Sequence, residues 1–141
     1  MQGKLYAVIF FMMKRTAGLF ACGSAGYAAL EILWRGYTHW TMALTGGVVF
    51  TAMAGLREQL RGVGLPRRCL AGAALITTAE FIVGCVVNLR YHMQVWDYSR
   101  EKFNVLGQIC AKYAALWALL SAPAMTLAGG IARALSAPRQ R

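Results

Sequence analysis

From Cys69 to Leu89 the sequence carries one charged residue, Glu80, in a run otherwise made of Ala, Leu, Ile, Val, Phe, Gly and Cys and broken only by Thr77, Thr78 and Asn88. A stretch of about 20 apolar residues is the length of a helix that crosses a bilayer. Glu80 therefore falls near the middle of a spanning helix. A charge there costs at least ~2.5–3.5 kcal/mol on insertion scales, so such a side chain is kept for a structural or functional purpose.

Composition extends this reading to the whole chain. Apolar residues make up 58% of the 141 positions and charged residues 14%, more apolar side chain than a soluble domain of this length can bury. The expected fold is an all-α polytopic membrane helical bundle, one transmembrane domain over residues 1–141. Its spans are expected at about 16–34, 42–56, 69–89 and 103–123. The short run Leu5 to Met13 is read as an interfacial helix or an extension of the first span. Residues 124–141 are read as a cytoplasmic tail, because Pro123 lacks the amide that continues a helical ladder. Leu19-Phe20-Ala21-Cys22 loosely resembles a lipoprotein cleavage site, but too few apolar residues precede it for a signal peptide.

Fifteen Lys and Arg against five Asp and Glu give a net charge of +10. In a soluble protein that excess would point to nucleic acid; here the basic residues cluster at the ends of apolar runs, as topology signals and anionic-lipid contacts do. Lys4, Lys14, Arg15, Arg57, Arg61, Arg67, Arg68, Arg133, Arg139 and Arg141 fall on one side of the expected spans. Arg35, Arg90, Arg100 and Lys102 fall on the other, with Lys112 near that face. The bias places both termini in the cytoplasm. Cys22, Cys69, Cys85 and Cys110 form no CxxC pair, so neither a disulfide framework nor a zinc site is expected.

Polar and small residues fall in stripes. Thr77, Glu80, Gly84 and Asn88 share one face of the third span, and Gly23, Tyr27 and Glu31 follow at intervals of four in the first. Gly47, Thr51 and Gly55 form a small-xxx-small ridge suited to close helix approach. Asn104, Gln108 and Lys112 would make a stripe near the outer end of the fourth span. Trp40 and Trp96 are read as aromatic interface residues, and Asp97 in Trp96-Asp97-Tyr98-Ser99 as a cap for the fourth helix. His39 has no second His or Cys at ligand spacing, so no metal site is assigned. No cofactor is implied.

Two runs, "GYAALEILWRGYTHWTMALTGGVVF" (26–50) and "ITTAEFIVGCVVNLRYHMQVWDYSREKFNVLGQICAKYAALW" (76–117), resemble the CmpB family of type IV ABC-transporter permeases. The shared elements are a glutamate in each of the first and third spans, the Gly46-Gly47 pair, Glu80-Phe81-x-x-Gly84, the Trp96 to Ser99 segment, Asn104-x-x-Gly107-Gln108-Ile109-Cys110 and Trp117. The resemblance implies a small multi-pass protein of the bacterial plasma (inner) membrane, with Glu31, Glu80, Asn88, Trp96, Asp97, Tyr98, Ser99, Asn104, Gln108 and Cys110 as motif positions. The sequence has no Walker A pattern and so no route of that kind to ATP hydrolysis.

Three functions fit these residues. In the first, Glu80 and Glu31 line a polar path in a transport or channel component, with Asn88, Asp97, Tyr98, Asn104 and Gln108 forming an outward-facing pocket; four spans enclose such a path only as a homo-oligomer or with a partner membrane subunit. In the second, the polar residues specify helix packing in a structural or regulatory membrane protein. The third is a membrane-embedded enzyme on lipid-linked substrates, for which no HExxH, GxSxG or paired-carboxylate spacing is present; no catalytic residue is assigned. Membrane lipids are expected partners, and nucleic acid is not.

Overall fold

The computed structural model describes residues 2–136, so Arg139 and Arg141 of the basic count lie outside the described residues. Four α-helices follow in chain order: α1 (Gln2–Arg35), α2 (Trp40–Gln59), α3 (Leu65–Gly84) and α4 (Ala111–Ser136). Between α3 and α4 come a π-helical turn (Cys85–Arg90) and a small antiparallel hairpin, β1 (Asn104–Val105) with β2 (Ile109–Cys110). Three stretches are long and apolar enough to cross a membrane: Gln2–Arg35, Leu65–Arg90 and Ala111–Ser136.

Local signals explain several helix ends. His39, in extended conformation, caps α2 by accepting from the Thr41 amide, and Gly36 leaves α1 at φ 81°, a conformation glycine reaches without a Cβ clash. Pro66 stands in the first turn of α3, where its missing amide costs nothing. The 34 residues of α1 are one helix with no break before Thr16, roughly 51 Å long, so Leu5 to Met13 extend it rather than lying as a separate element.

Glycines bring α1 and α2 into close contact. A Cβ on Gly23 would sit 2.7 Å from the Gly46 carbonyl oxygen and 3.1 Å from the Gly47 Cα, and one on Gly47 would meet Ser24 and Phe20. The ridge expected from Gly47 is thus used against α1. Gly55, its last member, faces open space. Further along, Leu19, Met53, Ala54, Ile76, Met125, Ala128 and Ala132 make a core from all four helices. Arg57 lies across Gly129, and Gly18 packs on Leu135, so the far ends of α2 and α4 and the first half of α1 share one end of the bundle.

The fourth helix departs most from the sequence reading. It begins at Ala111, not Phe103, and runs through Pro123 to Ser136. Asn104 explains the late start: its side chain donates to Ser99 O (3.2 Å) and Glu101 O (2.9 Å) and accepts from Gly107 N (3.1 Å), local bonds that compete with a helical ladder. The Asn104–Gln108–Lys112 stripe is therefore not a helical face, and Asp97 caps no helix. Past Pro123 the helix continues because one missing amide is a loss that packing offsets: Met125, Ala128 and Ala132 are buried in the core. Residues 124–136 accordingly extend α4 and are not a separate tail.

Candidate functional site

The buried face of α3 follows the spacing of four: Gly72, Ile76, Glu80 and Gly84, continued by Asn88 in the π-helical turn. Each residue at this seam meets α4 or the hairpin. Gly72 faces Ser121, and Gly84 leaves room for Gln108 and Trp96: a Cβ on Gly84 would lie 2.6 Å from Gln108 Oε1 and 3.0 Å from the Trp96 ring. Two groups of buried polar side chains result, with different degrees of satisfaction.

The group at the hairpin end is a closed amide clasp. Asn88 Nδ2 donates to Trp96 O (3.0 Å) and Gln108 Oε1 (2.8 Å), while its Oδ1 accepts from Val95 N (2.7 Å). Trp96 Nε1 donates to Gln108 O (2.9 Å), and Gln108 Nε2 donates to Leu106 O (2.9 Å). Trp96 is thus buried, not displayed at a lipid interface, because its indole N–H finds a partner inside. Trp40 remains exposed. Asp97 is exposed and accepts from the Ser99 amide (2.8 Å) and hydroxyl (2.9 Å), which hold its carboxyl below the usual carboxylate range. Tyr98 stacks on Tyr113 with ring centroids 4.6 Å apart, and burial pushes its phenol up.

Glu31 lies at the same end and is fully engaged. Arg35 Nη2 lies 2.7 Å from Glu31 Oε1, Thr38 Oγ1 donates to Oε2 (2.8 Å), and Arg35 Nη1 reaches Val95 O (3.3 Å). The Val95 peptide is held from both sides, its amide by Asn88 and its carbonyl by Arg35. The pocket expected among Asn88, Asn104 and Gln108 is filled by their own hydrogen bonds; Asn104 belongs to the hairpin and Asp97 to an exposed turn, so neither faces Glu80.

Glu80 is different. It is 4% exposed, accepts from Trp117 Nε1 (2.7 Å) across the α3–α4 seam, and makes no ion pair among the described residues. Tyr27 packs against Trp117, ring centroids 6.5 Å apart, which brings α1 to the same place. One turn earlier on α3, Thr77 Oγ1 is buried with no hydrogen-bond partner among the described residues. Adjacent turns of a helix put Glu80 and Thr77 side by side. Trp117, Tyr27, Arg35 and Thr38 were not assigned these roles from sequence. The Glu31–Arg35 spacing of four is a signal for one of them; the Glu80–Trp117 pairing joins residues 37 apart and leaves no local trace.

A bundle of long apolar helices with buried polar seams is the architecture of a multi-pass membrane protein. The model of the family described as "Putative ABC-transporter type IV" matches residues 6–137, nearly the whole chain, and the chain belongs to that family, the CmpB family. It is a membrane protein of a transport-related family. No curated protein and no solved structure matches it.

Proposed function

We propose that this chain is the membrane-spanning component of a transport system in a bacterial inner membrane, with Glu80 as the group that takes up a small cation, the proton included. The observation that carries this is the contrast in partners: among the described residues, a buried carboxylate with one indole donor and no basic side chain, beside a buried Thr77 hydroxyl without a partner. Carboxylate and hydroxyl oxygens suit small hard cations, and ionisable groups inside membranes mark ion pathways and proton relays. With α2 as a fourth span, both termini lie on the cytoplasmic side; the gathering of Arg57, Arg133 and the first half of α1 at one end supports that orientation. Glu80 is buried against Trp117, so the transporting form involves separation of α3 from α4, in a homo-oligomer or with a partner subunit. Any ATP hydrolysis belongs to that partner.

The test is cation flux into liposomes holding the purified chain, with Glu80→Gln, whose amide oxygen still accepts from Trp117. Loss of flux at unchanged thermal stability is expected; flux equal to wild type would overturn the reading. A second reading follows from the Trp117–Glu80 bond itself, that Glu80 serves to fasten α3 to α4. Under it Glu80→Gln is silent and Trp117→Phe, which removes the donor, loosens the bundle.

A further inference from the structure

The connection between α3 and α4 ends in the β1–β2 hairpin, whose tip and leading edge carry exposed apolar side chains while Gln108 turns inward into the clasp. Phe103 is 85% exposed and Leu106 66%, with Val105 between them also exposed. Both Phe103 (φ 54°) and Leu106 (φ 52°) have left-handed backbone, uncommon for residues with bulky side chains. Glycine or asparagine would take these turn positions without that strain. The tip is also locked. Asn104 ties Ser99, Glu101 and Gly107 together, Leu106 O accepts from the Gln108 side chain, and Tyr98 N donates to Gly107 O at 2.7 Å. A rigid hairpin thus holds two large apolar groups outward.

Beside them in the chain stand Arg100 and Lys102, both exposed, and Lys112, whose ammonium lies 2.9 Å from Glu101. The hairpin joins the end of one apolar span to the start of the next, which sets it at the membrane boundary. Apolar tips rimmed by basic side chains match the headgroup layer of an anionic bilayer: rings and aliphatic groups enter the acyl boundary and cations meet lipid phosphates. We propose that the hairpin segment 103–110 is a membrane-dipping anchor, with Phe103 and Leu106 inserted into the outer headgroup layer of an anionic bilayer. The amide clasp would then be braced against the bilayer, so that lipid composition bears on the α3–α4 seam. This rests on the transmembrane reading given above.

The test reconstitutes Phe103→Trp in phosphatidylcholine vesicles and in vesicles with added phosphatidylglycerol, both brominated near the headgroup end of the acyl chain. The emission gained over wild type is expected to be quenched at least twofold by the bromolipid, more strongly with phosphatidylglycerol, and shielded from aqueous acrylamide. Emission quenched by acrylamide and not by bromolipid, or shielded from both as a protein partner would shield it, overturns the anchor; equal quenching in the two lipid mixtures overturns its anionic preference. Retention of the chain in vesicles after an alkaline wash separates the two claims. A washed-out chain refutes the transmembrane reading, whereas a retained chain with a water-exposed Trp refutes the hairpin alone. Leu106→Trp, read in the same way, serves if Phe103→Trp does not fold.

Discussion

The amide clasp at the hairpin end and the carboxylate in the α3–α4 seam are both polar groups buried in an apolar bundle, and they differ in what they bind. Asn88 and Gln108 use their amides on each other and on the backbone of Val95, Trp96 and Leu106. Glu80 has one indole donor and an unpartnered hydroxyl beside it. A saturated network rigidifies and specifies, whereas an undersatisfied ionisable group is expensive to keep for packing alone. The clasp therefore reads as architecture, and the functional part is proposed for Glu80.

The largest expected effect comes from breaking the clasp. Asn88→Leu strands the Val95 amide, the Trp96 carbonyl and the Gln108 amide oxygen, each at a cost of about 1–3 kcal/mol. Unfolding in detergent should show the largest loss of this series, and a loss below about 1 kcal/mol would mean that the clasp is no clasp. Next in size is Gly23→Ala, which drives a methyl into the α2 backbone at Gly46 and Gly47 and is expected to cost about 1–3 kcal/mol in the same measurement. Trp117→Phe removes a hydrogen bond to a carboxyl group and should cost about 1.5–3 kcal/mol if Glu80 is charged, while Glu80→Gln, keeping the acceptor, should cost clearly less. Equal losses from these two variants would erase the distinction between seam and clasp.

The smallest effect concerns the exposed turn. Because Ser99 lowers the Asp97 carboxyl, the turn's contribution is fully present above the ordinary carboxylate range and is lost as pH falls through the lowered folded value. Exchange protection of the Ser99 amide should therefore persist at mildly acid pH, fall only in strong acid, and be absent at all pH in Asp97→Ala. A protection profile without pH dependence would contradict the Asp97–Ser99 turn.

The α3 face was legible from spacing: Glu80, Gly84 and Asn88 share the buried side, as their intervals of four require. Spacing failed at 103–110, where Asn104 and Gln108 keep a helical interval inside a hairpin. There Asn104's side-chain bonds to nearby backbone outcompete the ladder, and Gly107 at φ 68° supplies a turn. Trp96 was misplaced because an aromatic near a span end has two homes, the lipid interface and an interior with an acceptor; Gln108 O, twelve residues on, decides for the interior. Of the site itself, Glu80 was visible as a lone charge in an apolar run. Its isolation from cations was not, since that depends on which helices meet it.

The most direct measurement follows the indole that touches Glu80. Trp117 Nε1 donates to the carboxylate at 2.7 Å, so uptake of a proton or another small cation there must alter Trp117 emission. Solubilised protein titrated with acid, Na⁺ and K⁺ is expected to show an emission change with at least one of them that disappears in both Glu80→Gln and Trp117→Phe. Emission that responds identically in wild type and Glu80→Gln would contradict a cation-binding role for Glu80.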